Sequence, residues 1–215
     1  MQKIISTFII SCCMALGTSA QTTHVLFETS FGEVEVELFD DTPQHRDMFL
    51  QAVKDSVYHR ALFNRVITGF VNQGGELDEP ILEEEAAGVR KRQRLTAEIL
   101  PQHFHHKGAL GAGRDDNAEK ASYLTQIYFV IGKVITSVEL AALEKSKGVK
   151  IPAKQREIYS SIGGIPRLDG DYTIFGSVVR GMEIVEQINH VETDSSDVPL
   201  APVVFSVRVL EGSSL

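Results

Sequence analysis

Polarity alternates most cleanly near the start of the chain. From Glu33 to Phe39, Val34, Val36 and Leu38 fall on one face and Glu33, Glu35 and Glu37 on the other, the period of two that marks a half-buried strand. Val25–Thr29 precedes it across Ser30-Phe31-Gly32, where glycine tolerates a positive φ, and the pair predicts an antiparallel hairpin. Asp40-Asp41-Thr42-Pro43 then opens a helix, with Thr42 as N-cap and Pro43 at the first helical position. Met48, Phe49, Ala52 and Val53 supply its apolar stripe up to about Ser56. Next comes the most patterned stretch, Leu62–Glu76, reading L-F-N-R-V-I-T-G-F-V-N-Q-G-G-E. Its apolar run is interrupted by the single Arg65, turns at Gly69, and closes on Gln73 before Gly74-Gly75.

The second half carries the same vocabulary. Leu77–Lys107 holds an acidic run, Glu83-Glu84-Glu85, and a basic one, Arg90-Lys91-Arg92-Gln93-Arg94. It reads as a solvated loop whose opposed charges pair weakly, with steering of a substrate as the other reading. Leu124–Lys133 is a β-rich run ended by Gly132. Thr136 with Glu139 makes a capping box for a helix running through Leu140 and Leu143 to a stop at Gly148. A second helix is predicted from Pro152 to Ile162, using Ile158 and Ile162 as its apolar face. Strand residues return at Leu168–Gly176 and Val178-Val179, followed by a helix from about Met182 to Asn189 and a last strand, Val203–Leu210. Strands outnumber helices and no repeat is present, so the economical architecture is mainly β, a closed antiparallel barrel. The two short helices within about 134–166 are expected to form a helical hairpin on the barrel edge rather than a second domain.

Length and charge narrow the picture. A chain of 215 residues builds one domain with a sizeable core. Its formal charge of −8 argues against nucleic acid or an anionic membrane as partner, since both demand a basic face. Residues 1–20 read as a secretory signal: Lys3 leads an apolar run, Ile4–Gly17, that ends in Thr18-Ser19-Ala20. Cleavage after Ala20 would leave 21–215 as the exported domain, periplasmic or envelope-associated. The rival reading takes Ile9-Ile10-Ser11-Cys12 as a lipoprotein box, with a membrane tether through Cys12. Cys12 and Cys13 are the only cysteines, so the mature chain is expected to lack disulfides, thiol catalysis and Cys-based metal sites. His103, His105 and His106 lack carboxylates at ligand spacing and are expected to be surface or structural side chains, with no metal and no cofactor bound.

The Leu62–Glu76 stretch resembles the cyclophilin signature, F-H-R-V-I-x-G-F-M-x-Q-G-G-D. Further on, H105-H-K-G-A-L110 is similar to the family's H-x-x-G-x-L, and Leu168–Gly176 to its L-D-G-x-x-x-V-F-G. The likeness covers most of 24–210. It implies an eight-stranded cyclophilin-like barrel with two capping helices, a minimal form of which lacks the helical hairpin seen here. It also implies a monomeric prolyl cis-trans isomerase acting on proline-containing segments of folding proteins. The resemblance makes Arg65, Phe70 and Gln73 catalytic, with Phe70 and Tyr128 forming the proline pocket and Gln73 holding the substrate backbone. Tyr172 stands where the family has a pocket histidine, Gly113 and Arg114 where it has Ala-Asn, and Phe63 joins the same substrate-binding set.

Turning an X–Pro bond over means crossing a barrier of ~18–20 kcal/mol set by amide resonance. No nucleophile is required. A donor near the proline nitrogen of the twisted state, with the ring clamped in an apolar hollow, suffices, and arginine offers that donor as a permanently charged fork. Three departures from the family pattern stand out. Asn64 replaces a histidine. Arg167 precedes Leu168-Asp169-Gly170 and the chain has no tryptophan, so weak cyclosporin binding is expected. The Leu110–Asp116 loop, L-G-A-G-R-D-D, has lost side chains, which is expected to loosen the groove. The competing readings are a non-catalytic module that captures proline segments and, with less behind it, a structural partner built around the helical hairpin.

Overall fold

The computed structural model describes residues 22–210; the proposed export signal lies outside them. In chain order the elements are β1 (Thr23–Thr29), β2 (Gly32–Leu38), α1 (Pro43–Lys54), β3 (Ala61–Ile67), β4 (Val71–Gly74) and α2 (Asp78–Ala86). They continue with β5 (Ala109–Ala112), β6 (Ile127–Val130), α3 (Ser137–Lys147), α4 (Ala153–Ser161), β7 (Ile174–Arg180), α5 (Met182–Ile188) and β8 (Val203–Val209). The strands close into an antiparallel barrel in the order β1-β2-β7-β5-β6-β4-β3-β8, leaving no free sheet edge. The alternation of β2 survives intact: Val34, Val36 and Leu38 are buried, and the glutamates between them are not.

The barrel is filled by aromatic rings. Phe27 sits at its centre, 5.0 Å from Phe129 and 5.7 Å from Phe205, and Phe205 packs 4.6 Å from Phe63. Each such ring, fully buried, contributes about 1.5–3 kcal/mol. Phe49 and Ala52 of α1 and Val185 and Ile188 of α5 join this core, so both helices act as plugs. A separate small core, Leu140, Ile151 and Tyr159 with Phe104 against them, holds α3 and α4 to the molecule.

Four expectations are corrected. Thr42 does not cap α1 with its side chain; its hydroxyl donates to the Phe39 carbonyl, and Glu98 accepts from the Gln44 and His45 amides instead. Leu77–Lys107 is not simply a solvated loop, because it contains α2 and a part-buried ion pair. The Arg94 side chain is 3% exposed and bridges Glu85 (2.6 Å) and Asp115 (2.7 Å). The inward face of α4 is Tyr159, while Ile162 is exposed. The β-rich run read from Leu124 condenses to the four residues of β6. The capping box of α3 is present as read, with Thr136 and Glu139 exchanging hydrogen bonds and Gly148 closing the helix at a left-handed φ of 65°. Among the described residues no helix is long and apolar enough to cross a membrane.

Candidate active site

Barrel register builds the site. Arg65 of β3 faces Gln73 of β4, Gln73 faces Tyr128 of β6, and Tyr128 faces Gly111 of β5. Residues opposed across strands point the same way, so these four form one row on the outer surface of the sheet. The neighbouring row, Val66, Asn72, Phe129 and Leu110, points inward and is buried. Over the outer row lies a cavity of about 320 Å³. Arg65, Phe70, Gln73, Gly113, Arg114, Tyr128 and Tyr172 all line it, together with Gln126, Arg167 and Leu168. Phe63 does not. It is 2% exposed and packs on Phe205 and Phe129 inside the barrel, so its place in the substrate-binding set is withdrawn.

Phe70 is presented by the turn between β3 and β4, where Gly69 takes φ +70°. A fully buried asparagine at the end of α5 pins that turn. Asn189 accepts from the Gly69 amide at 2.7 Å and donates to the Ile67 carbonyl and to Asn72 Oδ1. Asn72 in turn donates to the Val185 carbonyl. Neither asparagine was singled out from sequence. The available signal was Asn72 itself, a polar residue on the inward phase of a strand, which demands buried partners.

Tyr128 is fixed from below. His105 Nδ1 lies 2.8 Å from Asp169 Oδ1, and its Nε2 lies 2.9 Å from the Tyr128 hydroxyl. A carboxylate only accepts, so Nδ1 carries the proton and Nε2 accepts from the phenol. Burial pushes the Tyr128 phenol well above its ordinary pKa, with Tyr172 and Asp169 adding to the shift, so it stays a neutral donor. Asp169 also accepts from the Tyr159 hydroxyl at 2.6 Å, tying α4 to the same network. His103 turns instead to Asp41 and His106 to the Lys107 carbonyl, so the three histidines serve separate partners.

The glycines of the Leu110–Asp116 loop have a specific use. A Cβ on Gly111 would overlap the Tyr128 ring, and one on Gly113 would overlap the Gln126 amide. The missing side chains are therefore replaced by neighbours, and the groove is filled rather than loosened. Aromatic faces carry the cations around the cavity. The Arg114 guanidinium stands 4.6 Å from the Tyr172 ring centre and Arg167 stands 4.6 Å from that of Phe70. Arg114 Nε also donates to the Asp171 carbonyl at 2.7 Å. Arg65 is half exposed, with a long contact of 3.4 Å to Asp197. The arrangement offers a hollow with Phe70, Tyr128 and Tyr172 as apolar walls and a rim of N–H donors. That suits a small apolar ring attached to a backbone that needs one donor.

Known proteins resemble this chain in sequence and in fold. Residues 24–209 match the family model for cyclophilin type peptidyl-prolyl cis-trans isomerases. A peptidyl-prolyl cis-trans isomerase of Acinetobacter baylyi is 26% identical over 193 residues, covering 87% of this chain and 85% of that protein. Peptidyl-prolyl cis-trans isomerase A of Dickeya dadantii is 27% identical over 205 residues, covering 88% and 86%. The crystal structure of a Cryptosporidium parvum cyclophilin type isomerase superposes with a TM-score of 0.62 at 20% identity, covering 88% of this chain and 98% of that one. The same parasite enzyme crystallised in the presence of the dipeptide Ala-Pro superposes with a TM-score of 0.62.

Proposed function

The chain belongs to the cyclophilin family, and from that premise we propose that it is a peptidyl-prolyl cis-trans isomerase whose donor is Arg65. The observation that carries the reading is the shared cavity: Arg65, Phe70 and Gln73 line one hollow with Tyr128 and Tyr172. The proline ring enters between Phe70 and the two tyrosines, and the Gln73 amide holds the flanking backbone. As the amide twists, its nitrogen becomes pyramidal and electron-rich, and a guanidinium N–H of Arg65 donates to it. That bond is made only in the twisted state, so it lowers the barrier without deepening the ground state. The Asp197 contact is long and half exposed, worth at most about 1 kcal/mol, so a substrate can displace it.

Exchange spectroscopy on an Ala-Pro peptide tests the reading. Wild type is expected to accelerate cis-trans exchange, and Arg65→Ala to lose at least about tenfold of kcat/KM, or ~1.4 kcal/mol, with an unchanged circular dichroism spectrum. Unaltered turnover in Arg65→Ala would remove the donor from the mechanism. The stack of Arg167 on Phe70 at the wall of the cavity favours a second reading as a module that binds proline segments without turning them over. Binding without accelerated exchange in wild type would establish that module instead.

The pattern of residues 1–20 supports export, and the clients are then proline-containing segments of proteins folding outside the cytoplasm. Uncatalysed X–Pro exchange takes tens to hundreds of seconds, slow enough to limit their folding. Mass spectrometry of the mature N-terminus tests this: a chain beginning at Gln21 fits free export, a lipidated Cys12 fits a tether, and an intact Met1 refutes both.

A further inference from the structure

Resting on the isomerase reading, we propose that the site selects proline segments bearing a carboxylate side chain on the residue next to the proline. Arg65, Arg114 and Arg167 all line the cavity, and among the described residues no aspartate or glutamate does. The local sign opposes that of the whole chain, whose formal charge is −8. Nearby carboxylates are turned to other cations and donors. Asp115 holds Arg94 at 2.7 Å, Asp171 holds Lys120 and Lys147 at 2.8 and 2.9 Å, and Asp169 takes His105 and Tyr159.

Two of the three guanidiniums keep donors in hand. Arg167 has an aromatic face beneath it and no hydrogen bond to its side chain among the described residues. Arg114 commits Nε and Nη1 to backbone carbonyls and, among the described residues, leaves Nη2 without a hydrogen-bond partner. Among the described residues Arg65 alone of the three meets a carboxylate, Asp197, and that residue lines the adjoining hollow rather than this one. Cations of one sign around a concave site focus their potential into it, and guanidinium edges match a carboxylate with two parallel hydrogen bonds. A lysine beside the proline meets repulsion in the same place.

The test is a blocked peptide series with Glu, Ala or Lys on either side of proline, read by exchange spectroscopy for turnover and by titration for Kd, at low and at 0.5 M salt. The Glu peptide is expected to bind roughly tenfold tighter than the Lys peptide at low salt, with the gap narrowing as salt screens it. Arg167→Gln and Arg114→Gln are each expected to shrink the gap. Equal binding of the three peptides, no binding by any of them, or a preference undiminished in both variants overturns the proposal. Turnover of Ala-Pro without preference for Glu sinks this inference and spares the isomerase. Preference for Glu in binding with no turnover of any peptide does the reverse.

Discussion

Two residues decide how the floor of the site is shaped, and only one looked important in the sequence. Tyr128 stands out as an aromatic on a family-like strand. Gly111 reads as a mere loss of side chain, because sequence does not reveal that the Tyr128 ring fills the space its Cβ would need. Gly111→Ala is therefore expected to displace Tyr128, costing about 1–3 kcal/mol in urea unfolding and lowering turnover of an Ala-Pro peptide. Tyr128→Phe removes the donor to His105 Nε2 and leaves that nitrogen buried and unpaired, a cost of about 1–2 kcal/mol. Calorimetry and turnover read together separate the two: Gly111→Ala is expected to damage both, Tyr128→Phe mainly stability. At the pocket edge, Arg167 covers the Phe70 ring at the position where the family pattern has tryptophan. Titration is expected to find weak cyclosporin binding, and a tight complex would show that the cation moves aside freely.

Elements were legible where a local rule governed them and illegible where a distant residue did. The hairpin of β1 and β2 and the capping box of α3 follow from residues a few positions apart. Thr136→Ala is accordingly expected to cost about 1 kcal/mol in thermal denaturation, by unpairing the Glu139 amide. The start of α1 at Thr42-Pro43 was legible in the same way, but the partner of its first amides, Glu98, was not, because it arrives from more than fifty residues away. α2 escaped for a similar reason. Ile81 is its buried apolar anchor, and what fastens its end is Glu85 to Arg94 across the loop. The same guanidinium stacks 4.4 Å from the Tyr123 ring centre and grips Asp115, beside Arg114 of the cavity. Arg94→Met leaves two carboxylates without their cation and is expected to lower the midpoint of urea unfolding. Because Asp115 would also be released, KM for proline peptides is expected to rise. An unchanged KM in a destabilised variant would confine Arg94 to a structural part.

At the scale of the whole molecule, stability is expected to depend on pH in two steps. Burial drives the His45 pKa down, outweighing Glu98, so the folded protein holds the ring neutral with Nδ1 donating to that carboxylate. Burial lowers His106 as well. Unfolded histidines titrate near 6.5, so below that pH the unfolded chain takes up protons that the native state refuses. This part of the stability is fully present above about 6.5 and is lost as pH falls through the next units. The carboxylates act lower down. Burial opposes ionisation at Glu98, Asp115 and Asp171, yet hydrogen bonds from His45, from Arg94 and from Lys120 and Lys147 outweigh it and hold all three below their ordinary values. Glu139, bonded by Lys133 and Thr136, is held at about 2. Depressed acids stabilise above their unfolded pKa and lose that contribution as pH drops through the folded one, so the steep loss belongs below about 4.5. Urea unfolding across pH 3–8 is expected to show a plateau above 7, a shallow decline from 6.5 to 5 and a collapse in acid. His45→Gln, which cannot titrate, is expected to reduce the shallow step to the share of His106 and leave the acid collapse in place. A stability maximum near pH 5 would contradict the neutral, buried His45.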